Sequence, residues 1–115
     1  MSLEIVRSLC RDVADKYGAL ASEFRVLVLA VLLVLGEASW SVLKRKLEKI
    51  AETEVNPNLL AFHLRRLVRA GFVERVELDH ETIYKPRLPS EVEHNIIPIV
   101  NNIENLLRKV KNHEH

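Results

Sequence analysis

The amino-acid sequence predicts a mainly α-helical domain with a small β-hairpin, an α+β fold, and three observations carry that expectation. Apolar residues recur at helical spacing through most of the 115 positions. Two strand-like runs, 72–78 and 82–86, surround the short polar turn Asp79-His80-Glu81. A basic amphipathic segment at 57–70 carries its own start signal, Asn56-Pro57, and its own stop, Gly71. Helix, turn, basic helix and hairpin, in that order, make a winged helix-turn-helix, here with an extra helix at each end.

The elements follow in chain order. The first helix shows apolar residues at 3, 6, 10, 13, 17 and 20, a single stripe, with a break expected near Gly18. Residues 23–35 form a second helix that is apolar nearly all round, so it belongs at the centre of the fold. Ser22 is its expected N-cap, Gly36 its stop, and Arg25 its one early charge able to reach solvent. Ser39-Trp40-Ser41 could add a third strand to the hairpin with Trp40 buried, and Ser41 would then cap a helix over 42–51. Ser90 and Glu93 form a capping box that starts the last helix, where Pro98 predicts a kink or a later start. This gives an N-terminal helix over 1–21, a winged unit over 22–89 and a C-terminal helix over 90–115.

Composition limits the function classes. Leu, Ile and Val make up about a third of the chain, enough for a core without staples. The longest apolar run, 26–35, is ten residues, half of the roughly 20 that a membrane span needs. It reads as a buried helix of a cytoplasmic protein. The single Cys10 allows neither an internal disulfide nor a cysteine-based zinc site within one chain, and on its apolar stripe it reads as an inert buried thiol. There is no Gln, one Met and abundant charge, a bias compatible with a thermophilic source. No nucleophile with a paired base, phosphate-binding loop or metal-ligand spacing is visible, so neither an enzyme nor a cofactor is expected.

The overall charge of +1 hides an uneven distribution. Residues 41–72 hold seven bases against three acids, whereas 1–40, 73–90 and 91–115 each carry one acid in excess. Positive charge is confined to the two helices that a helix-turn-helix presents to DNA, and a local positive field is what the phosphate backbone requires. At about 100° per residue, Leu60, Leu64 and Leu67 define the core side of the 57–70 helix. Asn58, Phe62, Arg65, Arg66 and Arg69 fall opposite. Arginine suits bidentate guanine readout and phosphate clamping, and asparagine pairs with adenine. Asn56 and Asn58 lie at the N-terminal end, from which such helices mainly read bases. Phe62 could meet thymine methyls or pack on the wing or a partner. His63, on the flank of the leucine stripe, is expected to pack rather than to bind a ligand. Lys44, Arg45, Lys46 and Lys49 on the preceding helix, and Lys85 on the hairpin, complete the expected DNA-binding set. The acidic tip at 79–81 opposes phosphate and argues against insertion of the wing.

Residues 36–44, the 58–67 segment with its His63-Leu64, and Ala70-Gly71-Phe72-Val73-Glu74 resemble winged-helix regulators of the ArsR and MarR kind. The string Leu60, His63, Leu64, Leu67, Gly71 matches the Leu-x-x-His-Leu-x-x-Leu-x-x-x-Gly pattern of their recognition helix. The resemblance spans about residues 23–88. It implies a homodimeric, sequence-specific binder of double-stranded DNA that represses or activates a promoter. The metal-sensing cysteine pair of ArsR proteins is missing from the recognition unit, and so is the basic wing tip.

The terminal helices suggest where two copies would meet. Val92, Ile96, Ile99, Ile103, Leu106 and Val110 alternate at spacings of four and three, a heptad seam. With Leu3, Val6, Cys10 and Val13 of the first helix they form the expected dimerisation surface. A twofold dimer sets two recognition helices about 34 Å apart, one DNA turn. A winged helix serving as a protein-interaction module of a transcription or chromosome-associated complex is the alternative, favoured by Phe62 and the acidic wing.

Overall fold

The computed structural model describes the backbone of residues 3–16 and 22–113 and side chains within 4–12 and 22–108. Along the chain run α1 (Leu3–Lys16), α2 (Glu23–Leu35), β1 (Ala38–Ser39), α3 (Trp40–Ala51), α4 (Pro57–Arg69), β2 (Val73–Leu78), β3 (Glu81–Pro86) and α5 (Ser90–His113). The expected mainly helical winged helix is the observed architecture.

Helix α2 forms the centre because it is apolar all round. Val26 and the five residues 28–32 are fully buried, and α1, α3, α4 and α5 all pack against it. At about 1.5–3 kcal/mol for each fully buried aliphatic side chain, this helix is the largest single source of burial energy. It ends at Gly36, whose φ of 83° lies in the left-handed region that glycine enters without penalty. Ser22 stands at its N-cap position, but its side chain makes no capping hydrogen bond. Arg25 does not reach freely into solvent as expected; it is half-buried close enough to His63 to influence its titration.

The sheet is antiparallel in the order β1-β3-β2. Ala38 pairs with Tyr84 and Ser39 with Ile83, while β2 and β3 pair from Val73↔Pro86 to Leu78↔Glu81. The third strand foreseen at 39–41 therefore lies one residue earlier. Trp40 is not in it: this half-buried residue opens α3. Ser39, not Ser41, caps that helix, its Oγ accepting the Val42 N–H at 3.3 Å. Serving both strand and cap, Ser39 links sheet to helix with no intervening loop.

The terminal helices pack on their own chain. Val6, Cys10, Val92, Ile96, Ile99 and Ile103 lie in the chain's own core, none more than 6% exposed, where α1, α2 and α5 pack together. These six of the ten expected dimerisation residues are covered by the chain itself, so they offer no area to a second copy. Leu106 is partly buried against the same core. The side chains of Leu3, Val13 and Val110, and residues 17–21 with the expected break, lie outside the described residues. Helix α5 starts at Ser90 with no delay and continues through Pro98, whose carbonyl accepts the Asn102 side-chain N–H at 2.6 Å. No helix among the described residues is long and apolar enough to cross a membrane.

Candidate nucleic-acid interface

The candidate site is the outer face of α4 with the adjoining parts of α3 and the hairpin. Leu60, Leu64 and Leu67 are at most 2% exposed and fix the inner face of α4 against the core. That anchoring turns Asn58, Phe62, Arg65, Arg66 and Arg69 outward, all of them exposed. The side-chain oxygen of Asn56 accepts the N–H groups of Asn58 at 2.8 Å and Leu59 at 3.2 Å. Asn56 thus spends its acceptor on the helix cap, leaving only the donor half of its amide for a partner. Asn58 keeps both halves. Past the end of α4, Gly71 takes φ 84° and turns the chain into the hairpin.

The outward arginines differ from the cations of the wing. Arg65, Arg66 and Arg69 form no ion pair among the described residues. On the wing, Arg75 pairs with Glu77 at 2.9 Å, Arg87 pairs with Glu74, and Lys85 lies 4.0 Å from Glu37. On α3, Lys44 pairs with Glu48 at 3.1 Å, while Arg45 stays exposed with no ion pair among the described residues. Lys46 and Lys49 are half-buried. Of the expected DNA-binding residues, those on α4 are thus brought together on one open face. Lys85 is set apart on β3, and Lys44 is partly neutralised.

Two concavities frame this face. One of about 160 Å³ is lined by Phe62, Arg65, Arg66 and Arg69. Another of about 540 Å³ runs between α4 and the sheet, where Arg65 and Arg69 meet Arg75 and Tyr84. A wider crease of about 950 Å³ joins α3 to the start of α4, with Lys44, Arg45, Lys49 and Asn56 among its walls.

Two residues of the site, Leu59 and Glu48, escape sequence reasoning. Leu59 is 47% exposed beside Asn58 and adds a second apolar group to the outer face; its place off the leucine stripe is the signal that could have found it. Glu48 accepts the Val55 N–H at 2.9 Å as well as the Lys44 ammonium, tying the turn between α3 and α4 to α3. Those two donors, the backbone amide first, hold its carboxyl below the usual range. Nothing in the sequence pairs Glu48 with Val55, seven positions on. Arg75, a hairpin-flank cation that the sequence leaves open between touching the DNA backbone and balancing nearby acids, is brought beside Arg65 and Arg69 by the pairing of the strands.

Behind the face sits His63, 8% exposed, its ring 5.2 Å from that of Phe24 and 5.3 Å from that of Phe62. The expected packing role is what the structure gives it. Its Nδ1 is buried with no hydrogen-bond partner. Burial first, and then the Arg25 charge, lower its pKa from the ordinary 6.5. Cys10 is likewise inert: burial, with some help from the Glu23 charge, pushes its thiol up to about 12.

No protein-family model matches the chain, and no curated protein matches it in sequence. Among solved structures it is similar to RosR of Halobacterium salinarum. To RosR in the complex designated RosR-S4 it is 28% identical, with a TM-score of 0.59, over 87% of this chain and 79% of that one. To the complex designated RosR-S1 it is 29% identical, with a TM-score of 0.58, over 84% and 78%. To RosR grown from NaBr it is 29% identical, with a TM-score of 0.56, over 76% of each chain.

Proposed function

We propose that this chain is a DNA-binding transcriptional regulator of ArsR/MarR kind that acts as a homodimer and reads double-stranded DNA with α4 in the major groove. The observation that carries the reading is the open face of α4, where three arginines without internal acid partners stand beside Asn58. A guanidinium held by a neighbouring carboxylate must break that pair to meet a phosphate or a guanine; these three need not. The likeness to RosR, a Halobacterium winged-helix transcription regulator, supports the same reading. The wing is assigned a lesser part. Its cations are matched by acids and its tip is acidic, so it flanks the duplex without entering the minor groove.

Dimerisation is assigned to apolar residues exposed on the terminal helices. Ile5 on α1 is 49% exposed and Ile97 on α5 is 44% exposed, on helices that already touch each other. A second copy is a natural cover for exposed isoleucines on these two helices and would supply the second recognition helix. A second reading, a protein-interaction module, draws on Leu59 and Phe62, two large apolar side chains exposed on the same helix as the arginines.

Selection of bound sequences from a random duplex pool separates the two. The regulator reading predicts enrichment of a palindromic motif whose half-sites lie about 10 base pairs apart. Recovery of an unenriched pool would favour the interaction module.

A further inference from the structure

We infer that Phe62 and Arg66 act as one reading unit for a 5-methylated pyrimidine beside a guanine, that is, a thymine–guanine or 5-methylcytosine–guanine step in the major groove. This deepens the proposed function and rests on it.

The juxtaposition is specific. The Arg66 guanidinium carbon lies 5.2 Å from the centre of the Phe62 ring, within cation–π range. Both residues are exposed on the outer face, one helical turn apart, and both line the concavity of about 160 Å³. An exposed phenyl ring held under an arginine is orientated further by its T-shaped contact with His63, 5.3 Å between ring centres. Arginine reads guanine through O6 and N7, and in the major groove the one apolar mark a base offers is the C5 methyl of thymine, shared by 5-methylcytosine. The helix rise between them is about 6 Å, nearly two base-pair steps of about 3.4 Å, but Arg66 folds back over Phe62 and brings the two side-chain ends to 5.2 Å, between one step and two. With Arg66 on a guanine, Phe62 falls over the adjacent pair, where the methyl fills the corner between ring and guanidinium. A phenyl group gains nothing from an unmethylated cytosine edge, so the pair discriminates by one methyl group.

The test uses the full chain and a duplex selected from a random pool. Each thymine next to a guanine is replaced in turn by deoxyuridine, which removes only the methyl. One position per half-site is expected to lose about fourfold in affinity, the worth of one buried methyl. Substituting 5-methylcytosine for that thymine, paired with guanine, should bind better than unmethylated cytosine by a similar factor. Phe62→Ala should bind the thymine and deoxyuridine duplexes alike, while Phe62→Leu keeps part of the difference. If the parent protein binds every deoxyuridine duplex as tightly as the thymine one, the reading unit is wrong although DNA binding stands. If the parent binds no duplex at all, the proposed function fails, and this inference with it.

Discussion

His63 carries the clearest consequence at the scale of a single residue. It is a base buried between two phenyl rings, so the folded chain resists protonating it while the unfolded chain takes up a proton near pH 6.5. In that window the unfolded state binds more protons, and stability rises with pH. The contribution is complete above about pH 6.5 and is lost as the pH falls below it, down to the lowered folded pKa. Urea midpoints measured between pH 5 and 7 should fall with acidification in the parent, and His63→Phe should flatten that slope. An unchanged slope in the variant would move the effect elsewhere. Glu23 and Glu48, held below their ordinary 4.5 mainly by the Arg11 side chain and the Val55 amide respectively, act only at lower pH. A second prediction concerns Asn56, whose oxygen holds two orphan N–H groups of α4. Asn56→Ala should cost about 1 kcal/mol, lowering the melting temperature by about 4 °C, whereas Asn56→Asp should leave it nearly unchanged.

At the scale of elements, the sequence was most legible where a local signal coincided with a steric requirement. Asn56-Pro57 and Gly71 bound α4 because a cap, a proline at the first helical position and a left-handed residue each permit little else. The leucine stripe of α4 was legible for the same reason, and with it the outward set of arginines. Ser39 and Ser41 illustrate the opposite case. Either serine satisfies the local rule for a cap, and the pairing of β1 with β3, a contact some 45 positions away in sequence, selects Ser39. The terminal helices are a different case. A stripe of apolar residues states that a face is covered but not by what, and α2 is the cover. The wing pairs Arg87–Glu74 and Lys85–Glu37 depend on how the strands are laid together and are not legible from spacing, whereas Lys44–Glu48 is an i,i+4 pair within α3. These pairs make an element-level prediction: Lys85→Ala should weaken DNA binding by less than a factor of about two, against roughly tenfold for Arg66→Ala. Comparable losses in a filter-binding or anisotropy titration would assign the wing a role its ion pairs argue against.

For the whole molecule, the fold separates what holds one chain together from what can hold two. Ile103 is fully buried where α5 meets the core. Ile103→Asp should therefore unfold the chain, at a cost of several kcal/mol, rather than yield folded monomers. The double substitution Ile5→Lys with Ile97→Lys touches only exposed positions and should leave the circular dichroism spectrum unchanged. In sedimentation the parent should run as a dimer and the double variant as a monomer. A variant that still dimerises would place the interface elsewhere on the surface.

The arrangement as a whole puts uncommitted positive charge on the outer face of α4, with Arg45 of α3 in addition, on a nearly neutral body, and the salt dependence of binding measures that directly. Each phosphate neutralised adds about 0.9 to the slope of log affinity against log salt concentration. Titrating the selected duplex with the parent and with the Arg65→Ala, Arg69→Ala double variant should give slopes that differ by about two, with weaker binding at every salt concentration. Equal slopes and equal affinities for the two proteins would contradict the account.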